Sequence, residues 1–200
     1  MDYKKFAELS PCDYAGALKR ESFMDSGITK LWEPVPRIAG PAFTVKMVAG
    51  DNLALHKAIY EAPLGSVIVA DSGTMDYAVC GGNVCMIAQR RGIAGFVIDG
   101  VVRDIKEIRE AGFPVFGRGV IPMPAIKKEV LPLNTPIICG GIDVNPGDII
   151  VADEEGIAVI PKEKAQEIYT ISKTKADKEA AQSLDEWADN HHKIIDSFYR

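Results

Sequence analysis

Apolar and polar positions along the chain change period several times, and those changes divide it into elements. Phe43-Thr44-Val45-Lys46-Met47-Val48 alternates and predicts a strand. Ser66 to Asp71 and Gly95 to Asp99 are short β-branched runs without alternation, the pattern of strands covered on both faces. Between them, Val84 to Arg91 reads as a helix closed by Gly92, and Asp104 to Ala111 reads as a helix ending at Gly112. Asp99-Gly100 reads as a turn, and Pro114-Val115-Phe116 as a further strand. Strand and helix alternating at these intervals require crossover connections, and so predict a mainly parallel layer. Ahead of this layer, Asp51 can cap a helix from Asn52 to about Ala62, which Pro63 stops.

The flanks have a different character. Residues 1–22 read as a helix, with Ser10-Pro11-Cys12-Asp13 supplying a cap, a proline at the first helical position and an acid three after the cap. Residues 23–40 read as irregular, with Pro34, Pro36 and Gly40 as breakers. From Thr135 to Pro161 the chain reads as antiparallel strands: Ile137 to Cys139, Asp148 to Ala152 and Ile157 to Ile160. Asn145-Pro146-Gly147-Asp148 and Asp153-Glu154-Glu155-Gly156 are the turns between them. A charged helix is expected from Lys162 to about Ser183, then a polar tail with Trp187, His191 and His192. With no linker between the portions, the 200 residues read as one domain of mixed α/β architecture.

Composition narrows the function classes. The chain has 47% hydrophobic and 26% charged residues, which excludes disordered and disulfide-scaffold classes. Net charge is −5 with no basic block, so no nucleic-acid partner is expected. No run approaches the ~18 apolar residues of a membrane span, and the Met1-Asp2-Tyr3-Lys4-Lys5 start is not an apolar leader, so a cytoplasmic location without membrane contact is expected. Cys12, Cys80, Cys85 and Cys139 form no C-x-x-C pair and read as free thiols.

The chemistry is carried by few residues. The chain has no G-x-G-x-x-G, no P-loop and no G-x-S-x-G, so nothing supports a dinucleotide, a P-loop nucleotide or a serine nucleophile. His191 and His192 read as solvated and His56 as a structural helical histidine. Better candidates are carboxylates at the C-terminal ends of strands, where the ligand crevice of a wound sheet forms: Asp71, Asp99 and the Arg103-Asp104 pair. Adjacent residues in a first helical turn diverge by about 100°, so Arg103 and Asp104 can border one pocket without simply pairing. Mg²⁺ prefers such oxygen ligands, taking one or two carboxylates and keeping several waters. On spacing alone Asp104-Ile105-Lys106-Glu107 reads first as a capping box, and Asp71 and Asp99 as turn residues. Gly81-Gly82-Asn83-Val84 opens a helix whose free N–H groups suit a carboxylate or phosphate, or forms a plain tight turn.

Several stretches resemble one family: Gly40 to Val45, Gly50 to Ile59, Arg91 to Asp104 with its D-G-x-x-R-D segment, and Pro146 to Asp153. The chain resembles the RraA-like family over about residues 10 to 180. That family contains the class II 4-hydroxy-4-methyl-2-oxoglutarate / 4-carboxy-4-hydroxy-2-oxoadipate aldolases and the regulators of RNase E activity. The resemblance implies a single-domain β/β/α swivelling-type sandwich, assembled as a homotrimer or hexamer with active sites at subunit contacts. It also implies Asp104 as direct ligand of Mg²⁺ or Mn²⁺, Arg103 on the pyruvyl oxygen of a small 2-oxo acid, and the amides of Gly81, Gly82, Asn83 and Val84 on the substrate carboxylate. Glu179 of a neighbouring subunit matches the glutamate that acts through water. The implied activity is retro-aldol cleavage of a 4-hydroxy-2-oxo acid to release pyruvate, with oxaloacetate decarboxylation as a side activity. The alternative is a non-catalytic regulator that binds RNase E or another protein. One position departs from the aldolase pattern: an acid is usual 21 residues ahead of the arginine, which here is Gly82.

Overall fold

The computed structural model describes residues 3–199. A seven-stranded sheet has the order β1-β5-β4-β3-β2-β8-β9, and a separate hairpin pairs β6 with β7. Four strands form its parallel centre: β2 (Ile38–Lys46), β3 (Val67–Asp71), β4 (Gly95–Val102) and β5 (Val115–Val120). The helices between them are α2 (Leu53–Glu61), α3 (Gly82–Arg90) and α4 (Ile105–Ala111). β1 (Thr29–Lys30) pairs antiparallel with β5. The antiparallel hairpin β8 (Ile149–Asp153) and β9 (Gly156–Ile160) joins the other side through β2.

Layering follows from the two-sided burial of β3 and β4. Ile68, Ala70, Phe96 and Ile98 face the helices with Leu55, Ala58, Cys85 and Ile108, and Phe96 meets Phe113 edge to face at 4.9 Å. Val67, Val69 and Val97 face the other way, onto Cys139 of β6 (Ile137–Cys139) and Val144 of β7 (Ile142–Val144). A third cluster seats Phe6, Leu9 and Tyr14 with Ile168 of α5 (Ala165–Ala180) on Ile149, Val151 and Ala158. Hairpin, sheet and helices make a β/β/α sandwich. Burying runs of Val and Ile on both faces is the main stabilising term, at roughly 25 cal/mol per Å² of apolar surface removed from water.

Several expectations are corrected. Residues 4–22 do not form one helix but a 3-10 turn at Lys4–Glu8, α1 (Pro11–Tyr14) and a second 3-10 turn at Arg20–Ser22; residues 1 and 2 lie outside the described residues. Pro11 has no N–H and holds Ser10 extended at ψ 160°, so the turn before it cannot continue into α1. The capping box is present: Ser10 Oγ accepts from Asp13 N at 3.2 Å, and Ser10 N donates to Asp13 Oδ2 at 2.7 Å. β2 begins at Ile38, inside the segment read as irregular. Pro41 sits where the strand passes from β8 to β3, a position that tolerates its missing donor. The expected polar tail is a helix, α6 (Leu184–Phe198), opened by a Ser183–Glu186 capping box, and Trp187 stacks on His191 within it.

Asp51 does more than start α2. Its buried carboxylate accepts from Leu53 N at 2.8 Å and, across the chain, from Lys128 N at 2.7 Å and Glu129 N at 2.8 Å. Burial alone would raise this carboxyl, but the three backbone donors hold it below the usual carboxylate value. Its contribution to stability is therefore present above the unfolded value of 3.8 and lost as pH falls through the lower folded value. Asp51→Ala is expected to cost about 1–3 kcal/mol at pH 7 in urea unfolding, a difference that shrinks as pH falls below 3.8 and through the lower folded value.

Candidate functional site

The sheet places one end of β4 against the start of α3. Val79 N donates to Val101 O and Arg103 N to Cys80 O, each at 3.0 Å, so segment 79–81 runs beside the end of β4. Ala78 exchanges bonds with Met123 O and Ala125 N on its other side, at 2.7 and 2.9 Å. Gly81 and Gly82 are thereby fixed next to Arg103 and Asp104. Because β2 to β5 are wound in sequential order, no switch point opens the sheet; the candidate site is the gap between β4 and the α3 N-terminus.

Asp104 occupies a left-handed conformation, φ 60° and ψ 40°, ahead of α4 and makes no side-chain cap bond to its own helix. The expected Asp104–Glu107 capping box does not form. Instead the Asp104 carboxylate reaches across 22 residues of sequence, where Gly82 N donates to Oδ2 at 3.2 Å. Arg103 is not in the first turn of α4 either, and its Nε lies 3.5 Å from the same oxygen, so the two side chains do pair. The left-handed turn at Asp104 removes the helical divergence that would have kept them apart. Arg103 and Asp104 keep 42% and 35% of their side-chain surface exposed, which leaves both open to a ligand.

Both glycines are required by close approach. A Cβ on Gly81 would overlap Asp104 Oδ2 and lie 3.1 Å from Arg103 Cγ. A Cβ on Gly82 would overlap Glu107 Oε2 and lie 2.9 Å from Glu107 Cβ. The place of a residue-82 side chain is thus taken by Glu107, which the sequence reading did not single out for chemistry. Within α3 the first intrahelical bond runs from Cys85 N to Gly81 O, so the amides of Asn83 and Val84 have no acceptor inside the helix. The buried Cys85 thiol is pushed well up by its hydrogen bond with Cys80, by burial and by the nearby charge of Asp104, which keeps it protonated.

The other candidates have structural partners. Asp99 lies inside β4 at an irregularity between Ile98 and Val101, not in a turn. Its carboxylate accepts from Arg118 Nε and, at 2.7 Å, from Gly140 N, while Arg118 also grips Asp25 at 2.6 and 3.0 Å. Asp71 accepts from Gly73 N at 3.0 Å, a local turn. His56 is lowered to about 4 by burial and by the charge of Lys127, so it is neutral at pH 7 and serves packing. Glu179 lies on α5, which packs on α1, with Lys175 Nζ 3.6 Å away. Among the described residues no group of three or more His, Cys, Asp or Glu could hold a metal ion, so one chain does not bring Glu179 to Asp104 and Glu107. Cys12, Cys80, Cys85 and Cys139 are free, and only Cys12 is exposed. No described helix is long and apolar enough to cross a membrane.

Residues 11–159 match the RraA-like family, described as Aldolase/RraA. A Halalkalibacterium halodurans protein named as a putative 4-hydroxy-4-methyl-2-oxoglutarate aldolase is 44% identical over 146 residues, 72% of this chain and 70% of the relative. A Thermus thermophilus protein named 4-hydroxy-4-methyl-2-oxoglutarate aldolase is 32% identical over 127 residues, 63% of this chain and 77% of the relative. The crystal structure of Streptomyces coelicolor RraAS2, described as an unusual member of the RNase ES inhibitor RraA family, superposes with a TM-score of 0.76 at 29% identity, covering 89% of this chain and 94% of that one. The family match over residues 11–159, the extent of identity to these relatives and the shared β/β/α sandwich lead to one conclusion: this chain belongs to the RraA-like family.

Proposed function

We propose that this protein is a divalent-metal-dependent lyase that cleaves the C3–C4 bond of a 4-hydroxy-2-oxo acid and releases pyruvate. The observation that carries the reading is the Asp104 carboxylate, turned off its own helix and held beside Arg103 at the start of α3. Its donor chemistry fits Mg²⁺ or Mn²⁺: a half-exposed carboxylate with one amide hydrogen bond has lone pairs left for a hard cation. When bound, the cation supplies Lewis-acid stabilisation of charge on the 2-oxo group. Asp104 would hold it. The amides of Asn83 and Val84, aided by the α3 dipole, would hold the substrate carboxylate. Breaking C3–C4 sends the electron pair toward the C2 oxygen as the C4 hydroxyl gives its proton to solvent water and C4 becomes a carbonyl. Arg103 would place fixed positive charge at that oxygen. The enolate then takes a proton at C3 to give pyruvate, and oxaloacetate decarboxylation passes through the same enolate.

The half-open site is completed in this reading by a neighbouring copy of the chain, whose Glu179 would stand beside the cation in a homotrimer or hexamer. Pyruvate release from 4-hydroxy-4-methyl-2-oxoglutarate and from oxaloacetate is the direct test. Mg²⁺ or Mn²⁺ should support turnover and a chelator should abolish it. Absence of metal-dependent release would overturn the lyase reading in favour of a non-catalytic protein-binding role, which the absence of an acid at Gly82 favours.

A further inference from the structure

We propose that Glu107 is a second acid of the cation site anchored by Asp104, admitted there because Gly82 has no side chain. The inference rests on the metal-dependent reading above. Glu107 lies in the first turn of α4, three residues after Asp104. A glutamate in this position ordinarily folds back to the backbone N–H of the cap residue, but α4 has no such bond. Its carboxylate extends toward α3 and lies against Gly82, where a Cβ would overlap Oε2 and come within 3.2 Å of Cδ. The Asp104 carboxylate lies against Gly81 in the same manner, 3.0 Å from its Cγ to where a Cβ would be.

Two adjacent glycines therefore form one cradle filled by two carboxylates. Neighbouring Cα atoms are ~3.8 Å apart, so the two carboxylates lie against adjacent backbone positions, and an ion that takes one or two carboxylates could draw one oxygen from each. The charges there are uneven. Arg103 pairs with Asp104, whereas among the described residues no hydrogen bond or ion pair engages the Glu107 carboxylate, and the neighbouring Lys106 turns to Glu110 instead. Two like charges brought together with one cation between them repel, and a divalent ion offsets that repulsion. Glu107 has the exposure to reach such an ion and no competing partner.

The test is Mn²⁺ titration of the purified full chain, followed by calorimetry and by the spin-resonance signal of free Mn²⁺, with thermal melting as the control for folding. Glu107→Gln should weaken Mn²⁺ binding about tenfold or more without moving the melting temperature. Gly82→Asp combined with Glu107→Gly clears the space that Glu107 fills, moves the acid from α4 to α3 and should return the affinity toward the wild-type value, which Glu107→Gly alone should not. Wild-type affinity in Glu107→Gln, together with loss of binding in Asp104→Asn, would overturn the role of Glu107 and leave the metal site standing. Unchanged affinity in Asp104→Asn, or no Mn²⁺ binding by the wild type, would overturn the metal site itself and Glu107 with it.

Discussion

Asp104→Asn is expected to reduce Mg²⁺-dependent pyruvate release roughly thousandfold, because several kcal/mol of charge stabilisation would leave with the cation and each 1.36 kcal/mol is tenfold in rate. Stability should hardly change. Asparagine keeps an oxygen to accept the 3.2 Å bond from Gly82 N, and it is among the few residues that tolerate the left-handed φ of 60° at this position. Asp104→Ala would mix loss of the ligand with backbone strain, so asparagine is the cleaner probe. Measurement of kcat/KM at saturating Mg²⁺ alongside thermal melting separates the two. If Asp104 were only the residue that starts α4, Asp104→Asn would leave turnover intact, since asparagine occupies a cap position as well as aspartate does.

The parallel centre of the fold is legible in the sequence because its signals are local. β-branched runs mark β3 and β4, and Gly112, at φ 68°, ends α4 where a left-handed residue is needed. The errors come from partners distant in sequence. Asp99-Gly100 has turn composition, yet Arg118 and Gly140 hold Asp99 inside an irregular strand. Two missed elements did carry local signals: Gly140 and Gly141, with φ of 58° and 76°, turn β6 into β7, and Ser183-x-x-Glu186 opens α6. Leu184, Trp187, Ile194, Ile195 and Phe198 recur at helical spacing along α6, a pattern that a predominantly polar composition obscured. At the site, the Arg-Asp pair could be read from the D-G-x-x-R-D segment. The left-handed Asp104 and the placement of Glu107 could not, since both depend on glycines more than twenty residues earlier.

Gly100→Ala is expected to cost about 2–3 kcal/mol and lower the melting temperature by about 5–10 °C, the penalty of forcing one methyl into filled space. Its Cβ would overlap Ser72 Oγ and lie 2.6 Å from Ser72 Cβ and 3.4 Å from Ile98 Cγ2. Ser72 cannot withdraw: it is 1% exposed, its N donates to Asp99 O at 3.1 Å and its hydroxyl lies 2.7 Å from the same oxygen. Ser72 opens the segment that runs past Val79 and Cys80 to Gly81, so the strain has a path to the site, and turnover should fall with stability. Ser72→Gly in the Gly100→Ala background removes the overlapping atoms and should recover part of both. An unchanged melting temperature in Gly100→Ala would mean that the loop yields freely at Ser72. In that case the bonds of Val79 and Arg103 to the end of β4, rather than the packing of Ser72 on Gly100, would be what holds Gly81 against Asp104.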